Sequence, residues 1–325
     1  GGAGPPALDL GERRFLARLP DDPPRRYPGR HALLKTDRLR ELWFHLTDTC
    51  NMTCGHCLVS SSPQLETRLS AGAIADLAEQ ARNLGCRLFA LTGGEPLVHP
   101  EFEAIVDGLL ADGESRVAVL TNGSLLQRFE AFGIPGDKTV FAHGTYFSPA
   151  ELERLAASGS ILVNNPESNM NNGLKVAPTL DMLEAGILVG LGTDGMSSHM
   201  VSQARAMYLH QRTLHRDPTI AFAEACRVLL DNNRVIANRL FDEPRGSLAP
   251  GQLADIMIPE YQPFTPLNAQ TFYGHLLFGL GYARPGYTIA RGQVIVDDGR
   301  LPHLDEQAIR ARCAEKAARI WSRIG

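Results

Sequence analysis

The sequence predicts an α/β fold of parallel βα units that form a partial barrel of about six strands. Short apolar runs alternate with segments of helical periodicity between about residues 41 and 191. Polar residues and glycines follow the apolar runs where the carboxyl ends of parallel strands would lie. A chain of 325 residues is long enough for about two domains with substantial cores.

Three βα units are predicted in the first part of the chain. Their strands are expected at residues 42–46, 87–91 and 117–120. Ser70 can cap a helix with apolar side chains at helical spacing, which ends near Gly85. A second helix is predicted from the apolar pattern of Phe102 to Leu110.

Three more βα units and a small β element follow. The next strands are predicted at residues 139–142, 161–163 and 187–191. Ser148 and Glu151 form a capping-box pattern before one helix, and a second helix is predicted at residues 178–185. The remaining predictions are helices within 202–240, short antiparallel strands at 255–258, 287–289 and 294–296, and a terminal helix at 305–324.

Composition excludes several function classes. The 32 basic and 36 acidic residues give a net charge of −4, which argues against a nucleic-acid partner. No apolar run reaches the roughly 18–20 residues that span a bilayer, so no membrane partner is expected. Three of the six cysteines lie within eight residues, a pattern that favours a metal role and a reducing, cytoplasmic compartment.

The three clustered cysteines are Cys50, Cys54 and Cys57. Three thiolates on one loop can ligate three irons of a cubane and leave the fourth iron open to an amino acid's amine and carboxylate. The alternative is a structural zinc site, for which His45 or His56 can supply the fourth ligand.

The motifs CNMTCGHC, LTGGEP and LTNG occur in this order, and residues 40–125 resemble the radical S-adenosylmethionine superfamily. The resemblance implies that Cys50, Cys54 and Cys57 hold a [4Fe-4S] cluster. It further implies contacts to S-adenosylmethionine from His56, Gly93, Gly94, Glu95 and Asn122. The implied chemistry is reductive cleavage of S-adenosylmethionine to a 5′-deoxyadenosyl radical, with a flavodoxin- or ferredoxin-like electron donor and a small-molecule substrate.

Two residues at later strand ends suit a metal hydrolase. These are His143 and Asp194, because an aspartate can ligate a metal ion or carry a proton. Taken singly, they can also be an ordinary loop histidine and a turn residue. The pattern Gly190-x-Gly192-x-x-Gly195 matches a dinucleotide-binding fingerprint, but no suitable acidic residue follows about 20 positions later.

The motifs AHGTYFS, NNPESNMNN and GLGTDG resemble the amidohydrolase superfamily, in the branch of guanine deaminases, chlorohydrolases and SsnA-type aminohydrolases, over residues 128–325. The resemblance implies that Asp194 is a ligand to zinc or iron and a proton shuttle. It implies that His143 polarises the hydrolysed bond or positions the metal-bound water. The His-x-His ligand pair of that branch does not occur in this chain.

The two resemblances together predict four segments. These are a Pro-rich arm at 1–35, a radical S-adenosylmethionine half-barrel at 36–127, an amidohydrolase half-barrel at 128–245, and a small β-sandwich-like element with a C-terminal helix at 246–325. The first hypothesis for function is a radical S-adenosylmethionine enzyme or a remnant that binds the cluster. The alternatives are a metal-dependent aminohydrolase of a cyclic amidine or purine-like substrate, and a non-catalytic chimeric fusion.

Overall fold

The computed structural model describes residues 39–54, 57 and 59–322, and these divide into two compact units between Leu125 and Leu126. The predicted arm at 1–35 and the candidate residue His56 lie outside the described residues. Both units combine parallel strands with helices, so the predicted α/β class is confirmed. Among the described helices, none is both long and apolar enough to cross a membrane.

The first unit contains a parallel three-stranded sheet in the order β1-β2-β3. Its strands are β1 (Glu41–His45), β2 (Leu88–Thr92) and β3 (Arg116–Val119), and its helices are α1 (Ala71–Asn83) and α2 (Phe102–Leu110). A short 3₁₀ segment covers Pro96–Val98. Phe44 and Phe89 stack in the core with ring centroids 6.2 Å apart, and both side chains are buried.

Helix α1 begins and ends as its sequence predicts. The amide of Ala73 donates to Oγ of Ser70 at 3.2 Å, and Gly85 takes a φ of 87° just after the helix. The buried face contains Ile74, Ala78 and Ala81. The sequence pattern places Leu77 and Leu84 at the same helical spacing, but both side chains are exposed. The buried face of the helix is therefore narrower than its apolar pattern.

The second unit contains another parallel sheet, in the order β4-β5-β6. Its strands are β4 (Val140–Ala142), β5 (Ile161–Asn164) and β6 (Leu188–Leu191). The helices around them are α3 (Leu126–Ala131), α4 (Pro149–Ser158), α5 (Pro166–Asn171) and α6 (Thr179–Glu184). Helices α3 and α5, of six residues each, were not predicted from the sequence, whereas the equally short α6 was.

The expected six-stranded sheet is not what the described strands form. They pair as two separate three-stranded parallel sheets, one in each unit. Alternating apolar segments predict strands, but a ladder also needs aligned backbone N–H and C=O groups on adjoining edges.

The rest of the second unit combines helices with an antiparallel sheet, whose first strand comes before the helix Phe272–Phe278 in the chain. Its helices are α7 (Met200–His215), α8 (Phe222–Arg227), α9 (Asn233–Leu240) and α10 (Phe272–Phe278), with a π-helical segment at Val228–Asn232. Met207, Ala225, Cys226 and Leu277 share one buried cluster. The sequence did not predict α10.

The antiparallel sheet has three strands, in the order β7-β8-β9. Its strands are β7 (Ile256–Glu260), β8 (Arg284–Ala290) and β9 (Gln293–Val296). Arg291 and Gly292 both have positive φ, at 50° and 79°, as a two-residue hairpin requires. The terminal helix α11 (Glu306–Trp321) has no buried side chain among the described residues.

The capping box of α4 gives a test of the local fold. The amide of Ser148 donates to Oε2 of Glu151 at 2.8 Å, and the amide of Glu151 donates to Oγ of Ser148 at 3.4 Å. We expect Ser148→Ala to lower the free energy of unfolding by about 1 kcal/mol, because helix amides lose an acceptor. Urea unfolding measures this loss. The control is Ser247→Ala at an exposed position, and equal stability of the two variants would contradict the assignment.

Candidate functional site

The carboxyl ends of β4, β5 and β6 meet at one edge of the second unit's sheet. In the parallel ladders Ala142 is opposite Val163, and Val163 is opposite Gly190. The next residues along these strands therefore emerge together. This register brings the loops that carry His143 and Asp194 to the same edge.

His143 lies in the loop directly after β4. Its φ is 71°, a conformation that is uncommon for a residue with a side chain and is often found at functional sites. Its Nδ1 lies 2.8 Å from Oδ1 of Asn169, and its Nε2 lies 3.8 Å from Oδ2 of Asp194. The imidazole is thus held from one side and faces the carboxylate with the other.

Asp194 follows β6 and also has positive φ, at 50°. Its Oδ2 accepts a hydrogen bond from Oγ of Ser168 at 2.7 Å, and its Oδ1 accepts from the amide of Gly195 at 2.7 Å. The Ser168 hydroxyl, the Gly195 amide and the charge of His143 together lower the pKa of Asp194, although partial burial acts in the opposite direction. The carboxylate is therefore ionised at neutral pH and remains partly accessible.

Two of the glycines of GLGTDG have a packing reason. A Cβ on Gly192 would lie 2.5 Å from Oδ1 of Asn165, and one on Gly190 would lie 2.5 Å from Cδ1 of Ile236. Glycine at these positions allows the close approach of the neighbouring side chains. A Cβ on Gly195 would meet no atom within 4 Å, so packing accounts for two of the three glycines in the pattern that also matches a dinucleotide-binding fingerprint.

Sequence reasoning did not single out Ser168 and Asn169 as site residues. Both lie on the short helix α5, and both are buried. Ser168 holds Asp194, and Asn169 holds His143. Their position in the motif NNPESNMNN, directly after a predicted strand, could have indicated a site role. Serine and asparagine after a strand are, however, also typical of helix caps.

The residues at this edge do not make up a metal site by themselves. The edge supplies one imidazole and one carboxylate, whereas a catalytic zinc ion takes three protein ligands. Across residues 39–54, 57 and 59–322, no three His, Cys, Asp or Glu side chains are grouped closely enough to hold a metal ion. The donor set therefore does not fit the zinc or iron ion that the resemblance implies.

The predicted cluster ligands lie on the loop after β1. Cys50 is buried, Cys54 is exposed, Cys57 is half-buried, and none of the three is in a disulfide. The amide of Cys57 donates to the carbonyl of Cys54 at 3.1 Å, which places these two residues on one turn. His45, a candidate zinc ligand, has its Nε2 2.8 Å from Oδ1 of Asp48.

The thiols have the chemistry that a [4Fe-4S] cluster requires, although the side chains are not gathered around one point. The backbone amides of Ser61 and Val59 lower the pKa of the Cys57 thiol. A lowered pKa favours the thiolate, which is the form that ligates iron. That Cys50, Cys54 and Cys57 hold a cluster remains a prediction.

Glu95 is fully buried behind the same loop. Its carboxylate accepts hydrogen bonds from the amide of Leu97 at 3.0 Å, the hydroxyl of Thr121 at 2.7 Å and the amide of Asn122 at 2.9 Å. The predicted contact of Glu95 with a bound amine remains a prediction. In the structure the carboxylate ties the turn after β2 to the turn after β3.

Gly93 and Gly94 pack tightly against the segment that follows β1. The amide of Gly94 donates to the carbonyl of Thr47 at 2.6 Å. A Cβ on Gly94 would overlap the carbonyl oxygen of Thr49, so this close approach requires glycine. Their predicted contact with the methionine amine remains a prediction.

Asn122 connects the third strand's loop to the cysteine loop. Its Nδ2 donates to Oδ1 of Asn51 at 2.8 Å and lies 3.9 Å from Sγ of Cys50. Ser124 bonds to the side chains of both asparagines. The structure therefore brings together the predicted residues Cys50, Asn122 and Glu95, while Cys54 is exposed on the outer part of the loop.

Comparison with known proteins finds two families along the chain. Residues 110–294 match the family model described as the amidohydrolase family, and residues 44–163 match that of the radical SAM superfamily. The two matches overlap over residues 110–163, so each extends across the division between Leu125 and Leu126.

Two of the similar curated proteins are named as deaminases. A 5-methylthioadenosine/S-adenosylhomocysteine deaminase of Desulforudis audaxviator (strain MP104C) is 31% identical over 191 residues, covering 55% of this chain and 42% of that protein. The enzyme of the same name from Pyrococcus abyssi (strain GE5 / Orsay) is 26% identical over 216 residues, covering 64% of this chain and 50% of that protein. The chain thus spans about half the length of the curated relatives it matches.

Among solved structures, an adenosine deaminase from Xanthomonas campestris with bound zinc aligns with a TM-score of 0.62 at 20% identity. That alignment covers 92% of this chain and 68% of the other, and it shows a shared fold. The amidohydrolase family model matches more than half of the 325 residues. The chain therefore belongs to the amidohydrolase family, and it carries a radical SAM superfamily match in residues 44–163.

Proposed function

We propose that the chain is a hydrolase of carbon–nitrogen bonds that removes the exocyclic amino group of an adenosine-type nucleoside. The observation that carries this proposal is the pairing of His143 with Asp194, whose side chains lie 3.8 Å apart at one sheet edge. The relatives that share its sequence are named as deaminases of 5-methylthioadenosine and S-adenosylhomocysteine. We infer also that each parallel sheet is a segment of a (βα) barrel wall.

The reaction replaces an amino group by an oxygen. Water adds to the ring carbon that bears the amino group, the carbon–nitrogen bond breaks, and the products are the ring carbonyl compound and ammonia. A base must take a proton from the attacking water, and an acid must give one to the departing nitrogen. The carboxylate of Asp194 can make both transfers in turn: it is ionised and can accept the proton of the water, and once protonated it can give that proton to the nitrogen. Its partial exposure leaves it within reach of substrate.

Asp194→Asn tests this proposal. We expect the variant to lose at least about 100-fold in kcat, because general acid–base catalysis typically contributes that much or more. The assay follows ammonia release from 5′-methylthioadenosine, S-adenosylhomocysteine and 5′-deoxyadenosine, with and without added zinc or iron(II). Asp181→Asn is the matched control, since Asp181 is an exposed carboxylate 3.8 Å from His215 in the same unit.

Two outcomes would contradict the proposal. One is the absence of ammonia release from all three nucleosides under every metal condition. The other is wild-type rates of ammonia release in both the Asp194→Asn variant and the Asp181→Asn control.

Ser168→Ala tests separately whether the lowered pKa of Asp194 matters for the reaction. The Ser168 hydroxyl is the largest cause of the lowered pKa of Asp194, so its removal raises that pKa towards the ordinary value. The reaction requires the carboxylate form, and we therefore expect the acidic limb of the pH–kcat profile to move to higher pH. An acidic limb that stays in place would show that another group limits the rate there.

A second candidate function rests on the first unit. We propose that Cys50, Cys54 and Cys57 hold a [4Fe-4S] cluster, which when bound supplies the electron that cleaves S-adenosylmethionine. The lowered pKa of the Cys57 thiol supports this proposal, since it favours the ligating form. Asn122 and Asn51 would fix the start of the ligand loop beside Cys50.

Anaerobic reconstitution with iron and sulfide tests cluster binding. After dithionite reduction we expect an electron paramagnetic resonance signal that S-adenosylmethionine perturbs, together with 5′-deoxyadenosine production. Cys54→Ala should abolish both, whereas Cys313→Ala, which removes an exposed thiol of α11, should abolish neither. A signal that survives Cys54→Ala would contradict the assignment of the ligands.

The two candidate activities share one class of small molecule. Reductive cleavage of S-adenosylmethionine ends in 5′-deoxyadenosine once the radical has taken a hydrogen atom from its substrate. The named substrates of the relatives, 5-methylthioadenosine and S-adenosylhomocysteine, are likewise adenosines altered at the 5′ carbon. This shared chemistry is the reason for including 5′-deoxyadenosine in the deamination assay.

A further inference from the structure

A buried chain of hydrogen bonds runs from a backbone carbonyl to His143. The hydroxyl of Thr179 donates to the carbonyl of Ala177 at 3.3 Å. Nδ2 of Asn164 donates to Oγ1 of Thr179 at 2.8 Å, and Nδ2 of Asn169 donates to Oδ1 of Asn164 at 3.1 Å. Oδ1 of Asn169 lies 2.8 Å from Nδ1 of His143. Thr179, Asn164 and Asn169 are all at most 2% exposed, so water does not compete within the chain.

The direction of these hydrogen bonds depends on how the Thr179 hydroxyl is used at the buried end. The hydroxyl donates to the carbonyl of Ala177, which also accepts from the amide of Thr179 and from Nε2 of Gln211, both at 2.8 Å. Oγ1 of Thr179 must then accept, which turns the donor group of Asn164 towards it. By the same step Asn164 presents its oxygen to Asn169, and Asn169 presents its oxygen to His143.

We infer that Thr179, Asn164 and Asn169 are positioning residues that fix His143 as the Nδ1-protonated tautomer, with Nε2 as an acceptor in the site. An oxygen of Asn169 can only accept, so Nδ1 of the neutral imidazole must carry the proton. The nitrogen that faces Asp194 is then Nε2, without a hydrogen. His143 therefore accepts a hydrogen bond from a bound molecule and does not, while neutral, donate one to a carbonyl.

This tautomer of His143 limits which molecules can bind between its imidazole and Asp194. Nε2 of His143 and Oδ2 of Asp194 are two acceptors 3.8 Å apart, too far for a hydrogen bond between them. A donor about 2.9 Å from both would see them at an angle of about 80°, which two hydrogens on one atom can match with slightly bent bonds. A primary amino group on a heterocycle, or the attacking water, has two such hydrogens. This part of the inference rests on the proposed deamination, whereas the tautomer itself does not.

Nuclear magnetic resonance of the full chain labelled with ¹⁵N in its histidines measures the tautomer directly. The chain has ten histidines, and the signals of His143 are those missing from His143→Gln. At alkaline pH, long-range proton–nitrogen correlations distinguish the protonated nitrogen from the bare one. We expect Nδ1 to be protonated and Nε2 to be bare. A protonated Nε2 in the wild-type chain would overturn the inference, whatever the variants do.

Variants of Thr179, at the buried end of the hydrogen-bond series, test whether that series sets the tautomer of His143. Thr179→Val keeps the side-chain shape but removes the hydroxyl, so both asparagine amides become free to turn over and a second tautomer should appear. Thr179→Ser keeps the hydroxyl and should retain the single Nδ1-protonated form. Ser168→Ala is the matched control, because Ser168 contacts Asp194 and its loss should leave the His143 tautomer unchanged.

The outcomes separate this inference from the proposed function. A single Nδ1-protonated form in a well-folded Thr179→Val protein would show that this hydrogen-bond series does not set the tautomer. The wild-type spectrum decides the tautomer even if Thr179→Val does not fold. A protein with the expected tautomer and no ammonia release would refute the deamination alone, whereas deamination by a protein with Nε2 protonated would refute the tautomer alone.

Discussion

The parallel register of β4, β5 and β6 is the constraint on which the site in residues 126–322 depends. Because Ala142, Val163 and Gly190 lie side by side in the ladder, the loops that follow them leave the sheet at one edge. A shift of one residue in any strand would turn its side chains to the opposite face. The spacing of His143 from Asp194 and the contacts of both with α5 follow from this single alignment.

Two adjacent residues of α5 contact His143 and Asp194. Ser168 bonds to the carboxylate of Asp194 and lowers its pKa, and Asn169 bonds to the imidazole of His143. Both residues belong to one helical turn, and both are buried. The surrounding structure therefore supports the positive φ values of His143 and Asp194, which is how uncommon backbone conformations persist in folded proteins.

The two units use a carboxylate at a strand end in opposite ways. Glu95 is fully buried and accepts from three donors of its own unit, so its carboxylate ties loops together. Asp194 accepts from two donors and keeps part of its surface accessible. Burial and the number of internal donors therefore separate an enclosed carboxylate from one that solvent can reach.

The sequence by itself determined the α/β class, most strand and helix positions, the cap at Ser70, and both family resemblances. These depend on local periodicity and short motifs, which are properties of neighbouring residues. Only the tertiary structure decided that the parallel strands form two three-stranded sheets, that Glu95 is enclosed by internal donors, and that Ser168 and Asn169 contact Asp194 and His143. Edge pairing, burial and hydrogen bonds between distant residues leave no local pattern in the sequence, because each depends on which loops the fold brings together.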